Sequence, residues 1–165
     1  MKLPWRSRVE TASPEVIPPE PPGPVIDIHS SPGLEEALRG TPDDGSCKVL
    51  DLGPSVADNV KFVSSFASYL QIIDAIDRDP SASDLGRSGF GRLRTLKALF
   101  DQHRRSFSLV LMWDVINYLS IDQAEKLLES VAELCLPGAR VHAIVFATNT
   151  MAEIPNRYRI IDSSH

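Results

Sequence analysis

The residues best suited to chemistry lie where the first apolar run of the chain, Lys48 to Leu52, leads into a turn. Asp51 stands at the end of this run, and Gly53 and Ser55 follow it. At such a turn the backbone N–H groups of a helix N-terminus approach a ligand closely, and an acid accepts hydrogen bonds from the ligand's donors. The stretch therefore indicates a nucleotide-binding turn. It does not meet the G-x-G-x-x-G pattern of dinucleotide sites, because Ser55 and Asp58 replace the second and third glycines.

A second group of candidate residues follows the apolar run Phe107 to Trp113, which predicts a strand covered on both faces. Trp113, Asp114, Asn117 and Tyr118 come at its carboxyl end, the end at which open α/β sheets bind their ligands. Asp114 is the catalytic candidate, because its carboxylate could accept a proton from an attacking nucleophile. In the alternative interpretation Asp114 caps the next turn and Trp113 packs in the core. For Trp113 the core is favoured.

The elements that must position these residues alternate between strand and helix from residue 48 onward, which predicts an α/β fold with a parallel sheet. A short helix is expected earlier, from Gly33 to Arg39, and Ser55 is expected to cap the helix after the first strand. Ser120 and Gln123 have capping-box spacing at the start of a helix that Pro137-Gly138 ends. The predicted strands are Lys48 to Leu52, Leu70 to Ile76, Phe107 to Trp113 and a doubly buried Val141 to Ala147, with another in residues 81–106 whose position the pattern leaves open.

Composition divides the chain into two parts. Residues 1–46 are expected to form a flexible, proline-rich arm containing the short helix, and residues 47–165 the folded domain. The net charge of −5 over 165 residues argues against general nucleic-acid binding. A signal peptide and a membrane-spanning apolar run are not evident, so a cytoplasmic protein is expected. Cys47 and Cys135 lack metal-site spacing and the histidines are scattered, so no metal site is predicted.

Across residues 47–147 the chain resembles the class I S-adenosylmethionine-dependent methyltransferases. The resemblance rests on Asp51 and Gly53 of a D-x-G-x-G-x-G motif, on an acid after the second strand, and on the Trp113-to-Leu119 segment after a central strand. It implies a Rossmann-like three-layer sandwich with a mostly parallel sheet. It also implies S-adenosylmethionine as cofactor and methyl transfer to an unidentified small molecule.

The resemblance also assigns individual roles. Asp77 would bind the ribose hydroxyls, with Asp74 in reserve, and Arg78 would lie against the adenine. Asp51 would act near the methionine amino group. The residues implied to contact the cofactor are Asp51, Gly53, Pro54, Ser55, Asp77, Arg78 and Trp113. The alternative is a non-catalytic relative that keeps the fold as a binding module, which is indicated by Ser55 and Ala57 at two glycine positions of the motif.

Members of this family usually complete a seven-strand sheet with an antiparallel sixth and seventh strand, and residues 151–165 offer only one short extended segment. The domain is therefore expected to be incomplete at its C-terminus. The last predicted strand, Val141 to Ala147, would then be an exposed edge. Because an apolar edge strand invites pairing with another chain, self-association through this strand is expected.

Overall fold

The computed structural model describes residues 28–42, 44–76, 102–147, 152 and 156–165. Its helices are α1 (Pro32–Arg39), α2 (Ala57–Val63) and α3 (Ile121–Leu134), with a 3₁₀ turn at Val115–Tyr118. Its strands are β1 (Lys48–Asp51), β2 (Tyr69–Ile72), β3 (Phe107–Trp113) and β4 (Cys135–Ala143). No helix within these ranges is long and apolar enough to cross a membrane.

The described strands form one sheet in the order β2-β1-β3-β4, and all neighbouring pairs are parallel. The prediction of an α/β fold with a parallel sheet is confirmed at this level. The chain moves from β1 outward to β2 and then returns to the other side of β1 to form β3. The strand order therefore reverses between β1 and β3, and a crevice opens at the carboxyl ends of strands at such a point.

Helices cover both faces of the sheet, which makes three layers. On one face α3 packs through Leu127, Val131 and Leu134 against a cluster of strand residues. On the other face α1 and α2 pack against a second cluster, and a C-terminal residue, Ile160, belongs to it. Since both faces are covered, β3 is buried along nearly its whole length, as its apolar run predicts.

Local signals account for the helices α1 and α3. Ser31 accepts a hydrogen bond from the backbone N–H of Leu34, and Pro32 occupies the first turn of α1. Ser120 and Gln123 form the predicted capping box at the start of α3. The helix ends at Leu134, before Pro137-Gly138, so the predicted stop was wrong. Its last carbonyls instead accept hydrogen bonds from the backbone of residues 105 and 106.

Three further predictions of local structure were wrong. Ser55 does not cap α2, because the helix starts later and has Val56 at its N-cap. The second strand ends at Ile72 and not at Ile76. The last described strand begins directly after α3 and is not buried on both faces, since Val141 is 48% exposed. Residues 136–139 bulge from it, and Gly138 takes the positive φ of 82° that the bulge needs.

Residues 156–165, here called the C-terminal strap, begin at the carboxyl end of β3 and continue onto the face of the sheet that α1 and α2 cover. The buried amide of Asn59 on α2 holds the strap at two points, donating to the carbonyl of Tyr158 at 3.0 Å and accepting from the N–H of Ile160 at 2.8 Å. Farther along, the backbone N–H of Ser31 donates to the carbonyl of Ser164. Helix α1, which lies within the predicted N-terminal arm, packs on β4, where Arg140 contacts Glu36. The strap and α1 thus belong to the same folded body as the sheet.

Candidate functional site

Asp51 lies at the carboxyl end of β1 beside the reversal of strand order, and it is 2% exposed. Its Oδ1 atom accepts hydrogen bonds from the backbone N–H of Gly53 at 2.8 Å and from the indole Nε1 of Trp113 at 2.7 Å. Burial raises the pKa of the Asp51 carboxyl above its ordinary value, and the nearby charge of Asp74 acts in the same direction. The two hydrogen bonds oppose this rise because they favour the charged form. Asp51 is thus a buried carboxylate held in one orientation.

Gly53 allows the indole of Trp113 to approach the turn. A Cβ atom at Gly53 would lie 2.4 Å from Cδ1 and 2.7 Å from Nε1 of Trp113, closer than carbon and indole atoms can come. The absence of a side chain at this position therefore serves a contact inside the protein. The structure thus brings together Gly53 and Trp113, two of the residues predicted to contact the cofactor, and on the β3 side of the turn they contact each other.

Trp113 has an unusual backbone conformation for so large a residue, with φ at 52°. Bulky residues in the left-handed region cost free energy and persist only where their surroundings fix them, often at functional sites. Here the ring of Tyr158 lies parallel to the indole, with an interplanar angle of 4° and a centroid distance of 5.7 Å. The imidazole of His142, whose pKa is lowered by burial, meets the indole edge-on at 5.8 Å.

Asp114, the predicted catalytic residue, is 1% exposed. Its Oδ2 atom accepts a hydrogen bond from the backbone N–H of Asn156 at 3.0 Å and one from the hydroxyl of Tyr158 at 3.2 Å. Its side chain makes no capping hydrogen bond to the 3₁₀ turn that follows it. Asn117 connects this turn to the segment that follows β4, because its amide donates hydrogen bonds to the carbonyls of Asp114 and Ile144. Asp114 thus binds the C-terminal strap to the end of β3.

The remaining predicted site residues fall into two groups. Pro54 and Ser55 lie in the turn after β1, where Pro54 is half-buried and Ser55 is exposed. Asp77 and Arg78 lie outside the described residues, so their predicted roles at the ribose and the adenine stay predictions. Asp74, the reserve candidate, follows β2 and is half-buried near Asp51.

Sequence reasoning missed Tyr158, Asn59 and His142 as parts of this site. Tyr158 lies in a short polar segment with no periodic pattern, and its partners Trp113 and Asp114 are far away in the chain. Asn59 was hidden among the polar residues of α2, although a buried amide with two backbone partners is a strong structural constraint. For His142 the one signal in the sequence was its position within the apolar run of the last strand, which indicates burial.

Within the described ranges no group of three or more His, Cys, Asp or Glu side chains could hold a metal ion. The site at the carboxyl ends of β1 and β3 is made of two buried carboxylates, an indole and a phenol, which belong to Asp51, Asp114, Trp113 and Tyr158. No family model matches this chain, and no curated protein or solved structure matches it at a significant level.

Proposed function

We propose that this protein is a Rossmann-like methyltransferase that binds S-adenosylmethionine and methylates a small molecule. The observation that carries the proposal is the position of Asp51, a buried carboxylate at the carboxyl end of β1 next to the reversal of strand order. Open parallel sheets bind their ligands at this point. Asp51 and Asp74, at the ends of β1 and β2, are acceptors of the kind that an ammonium group and ribose hydroxyls require.

The fit of the cofactor differs between the two sides of the turn. Toward β3, the indole of Trp113 fills the space in front of Gly53, so the gap between these two residues does not fit the cofactor. Toward β2, the residues fit better, because Asp74 is half-buried and Ser55 is exposed there. The proposal therefore places the cofactor above β1 and β2, with Asp77 and Arg78 as its further contacts.

The chemistry asks little of the protein beyond alignment. The methyl group of a sulfonium is already activated, so holding the acceptor in line with it supplies much of the catalysis. Asp114 is proposed to lie on the acceptor side, at the end of β3.

The free thiols of Cys47 and Cys135 fit the reducing cytoplasm, which we propose as the compartment.

A second candidate function is a non-catalytic binding module with the same sheet. A specific observation favours it: Oδ1 of Asp51 and the space before Gly53 are both used by Trp113, and Oδ2 of Asp114 is used by the C-terminal strap. In such a module the buried polar groups would hold the fold together and would not take part in turnover.

Isothermal titration calorimetry with S-adenosylmethionine and S-adenosylhomocysteine tests the first proposal. We expect micromolar binding to the wild type, weakened on the order of tenfold or more in Asp51→Asn because a charged hydrogen-bond partner is lost. The matched control is Asp122→Asn, the same change at an exposed residue of α3, which should bind like the wild type.

The outcomes separate the two candidates. Binding that is lost in Asp51→Asn and kept in Asp122→Asn supports the cofactor site and justifies a screen of methyl acceptors. A folded wild type that binds neither compound contradicts the methyltransferase and favours the module. Asp77→Ala adds a test of the ribose assignment in the same assay.

A further inference from the structure

We propose that Trp113 and Asp114 form a binding subsite for a hydroxylated aromatic ring, and that Tyr158 of the C-terminal strap occupies this subsite in the described conformation. The proposal deepens the proposed function by naming an acceptor class, and it rests on that function only for the acceptor's chemical fate. Three features carry it: a fixed indole platform, a buried carboxylate at its edge, and an occupant whose segment lies at the surface.

The indole of Trp113 is a rigid platform. Its Nε1 is fixed to Asp51 by a 2.7 Å hydrogen bond, and Gly53 leaves just enough space for it. His142 contacts it edge-on, which limits rotation of the ring. A flat aromatic side chain that cannot turn offers a stacking surface at little entropic cost.

The occupant of this platform is chemically a phenol. The ring of Tyr158 lies within 4° of parallel to the indole, and its hydroxyl donates to Oδ2 of Asp114 at 3.2 Å. A carboxylate that accepts from a hydroxyl beside a stacking surface recognises both parts of a phenol. Burial raises the pKa of the Tyr158 hydroxyl, and the charge of Asp114 adds to the rise, so the phenol keeps its proton and donates it.

The strap that carries Tyr158 lies at the surface around this residue. Asn156, Arg157 and Arg159 are exposed and Tyr158 itself is half-buried, whereas the strap is anchored more deeply at Ile160. The first part of the strap can therefore move outward while Ile160 stays in the core. An outward movement of Tyr158 would free the face of Trp113 and the hydrogen-bonding position on Oδ2 of Asp114 that the Tyr158 hydroxyl occupies, while the N–H of Asn156 keeps its own hydrogen bond to that oxygen.

Combined with the proposed methyl transfer, the subsite would allow methylation of a phenolic oxygen. With S-adenosylmethionine bound, the phenolic oxygen would form a bond to the methyl carbon as the carbon–sulfur bond breaks, the phenolic proton would pass to Oδ2 of Asp114, and S-adenosylhomocysteine would be released. Asp114 would then hold the acceptor and receive its proton.

The test uses 4-methylphenol, the side chain of tyrosine as a free molecule, titrated into the full chain without any cofactor. Toluene is the matched probe, because it has the same ring and methyl group without the hydroxyl. We expect the wild type to bind 4-methylphenol, and Tyr158→Phe to bind it more tightly because the strap loses one of its two hydrogen bonds to Asp114. Tyr158→Ala should bind on the order of tenfold more tightly than the wild type, since the internal competitor is gone.

Asp114→Asn supplies the specificity control. It should reduce the preference for 4-methylphenol over toluene, because a neutral amide accepts a phenolic proton less strongly than a carboxylate. Binding found only in Tyr158→Ala, with none to the wild type or to Tyr158→Phe, overturns the proposal, since it would reveal a cavity made by the substitution. Equal binding of both probes overturns it as well. Because no cofactor is present, failure here is independent of whether S-adenosylmethionine binds.

Discussion

The indole N–H of Trp113 donates a 2.7 Å hydrogen bond to Oδ1 of Asp51, joining the carboxyl ends of β3 and β1. A hydrogen bond to a charged group contributes about 1.5–3 kcal/mol, and leaving a buried partner unsatisfied costs a similar amount. The same oxygen also accepts from the backbone N–H of Gly53, so one carboxylate fixes the turn after β1 and the side chain that packs on it. The structure of this turn and the conformation of Trp113 therefore depend on each other.

The first prediction concerns the contact between Gly53 and Trp113. Gly53→Ala should destabilise the protein by about 1–3 kcal/mol, because the new Cβ must displace a ring that is fixed on several sides. Urea unfolding followed by circular dichroism measures the change. A matched control is Gly33→Ala in α1, where a Cβ would lie 3.6 Å from His142 and alanine favours the helix, so stability should stay the same or rise slightly.

The pairing can be separated from a general intolerance of the turn. Trp113→Leu removes the ring that the new Cβ would meet, so Gly53→Ala should cost less in that background than in the wild type. If the two changes are additive, the close approach of these two residues is not what requires glycine at position 53.

The second prediction is a pH dependence at Asp51. Because its pKa is raised in the folded protein, Asp51 binds more protons in the native state than in the unfolded chain, and its contribution to stability falls as pH rises above the ordinary value of 3.8. Asp51→Asn keeps an oxygen for both donors and does not titrate. Its stability relative to the wild type should therefore increase with pH above 3.8 and level off once Asp51 is fully charged.

Urea midpoints measured from pH 3.5 to pH 8 in wild type and variant test this expectation. The exposed Asp122→Asn substitution controls for the change in net charge. A difference between Asp51→Asn and the wild type that stays constant over this range would show that the buried carboxyl has an unshifted pKa.

The third prediction concerns the anchor of the C-terminal strap. Asn59→Ala removes two hydrogen bonds from a residue that is 3% exposed and leaves the part-buried carbonyl of Tyr158 and the buried N–H of Ile160 unpaired, which should cost about 2–4 kcal/mol. The neighbouring Asp58→Ala removes only the exposed ion pair with Arg159, and its cost should stay below about 1 kcal/mol.

Hydrogen exchange tests the same anchor locally. The backbone N–H of Ile160 donates to Asn59, so its protection should fall in Asn59→Ala by more than that of amides in β3. Unchanged protection at Ile160 would mean that packing of its side chain holds the strap without Asn59.

The fourth prediction is self-association through β4, an edge of the sheet in the described part of the chain. Among the described residues, five of the seven large apolar side chains that are exposed belong to α3, to β4 or to Val145 just beyond β4. We expect the apparent mass in light scattering to rise with concentration. Val141→Lys should suppress this rise because a charge on an edge strand opposes pairing. Ile161→Lys, a change at a residue of similar exposure in the strap, should not, and a wild type that stays monomeric at every concentration would rule the interface out.

Features set by neighbouring residues could be predicted from the sequence. The capping box of α3 and the buried run of β3 need only residues within one or two turns of each other, and both were confirmed. Asp51 and Gly53 were also correctly predicted, the acid at the carboxyl end of a strand and the glycine in the turn that follows it. In each of these cases the local preference and the tertiary structure favour the same conformation.

Features set by distant contacts could not be predicted. The end of α3 is decided by backbone donors at residues 105 and 106, which replace the expected proline and glycine. Ser55 has the chemistry of an N-cap, but the backbone at Val56 takes the capping conformation. The contact of Tyr158 with Trp113 leaves no trace in the local pattern of either residue.

The distribution of the core over the chain bears on the order in which the protein folds. The cluster beneath α3 is built from residues 50 to 134, whereas the cluster on the other face joins Leu34 of α1 to Ile160 of the strap. Long-range contacts of this kind slow folding because a large loop must close before they form. During synthesis on the ribosome the cluster beneath α3 can therefore be completed earlier than the cluster on the opposite face, which lacks Ile160 until the end of the strap has been made.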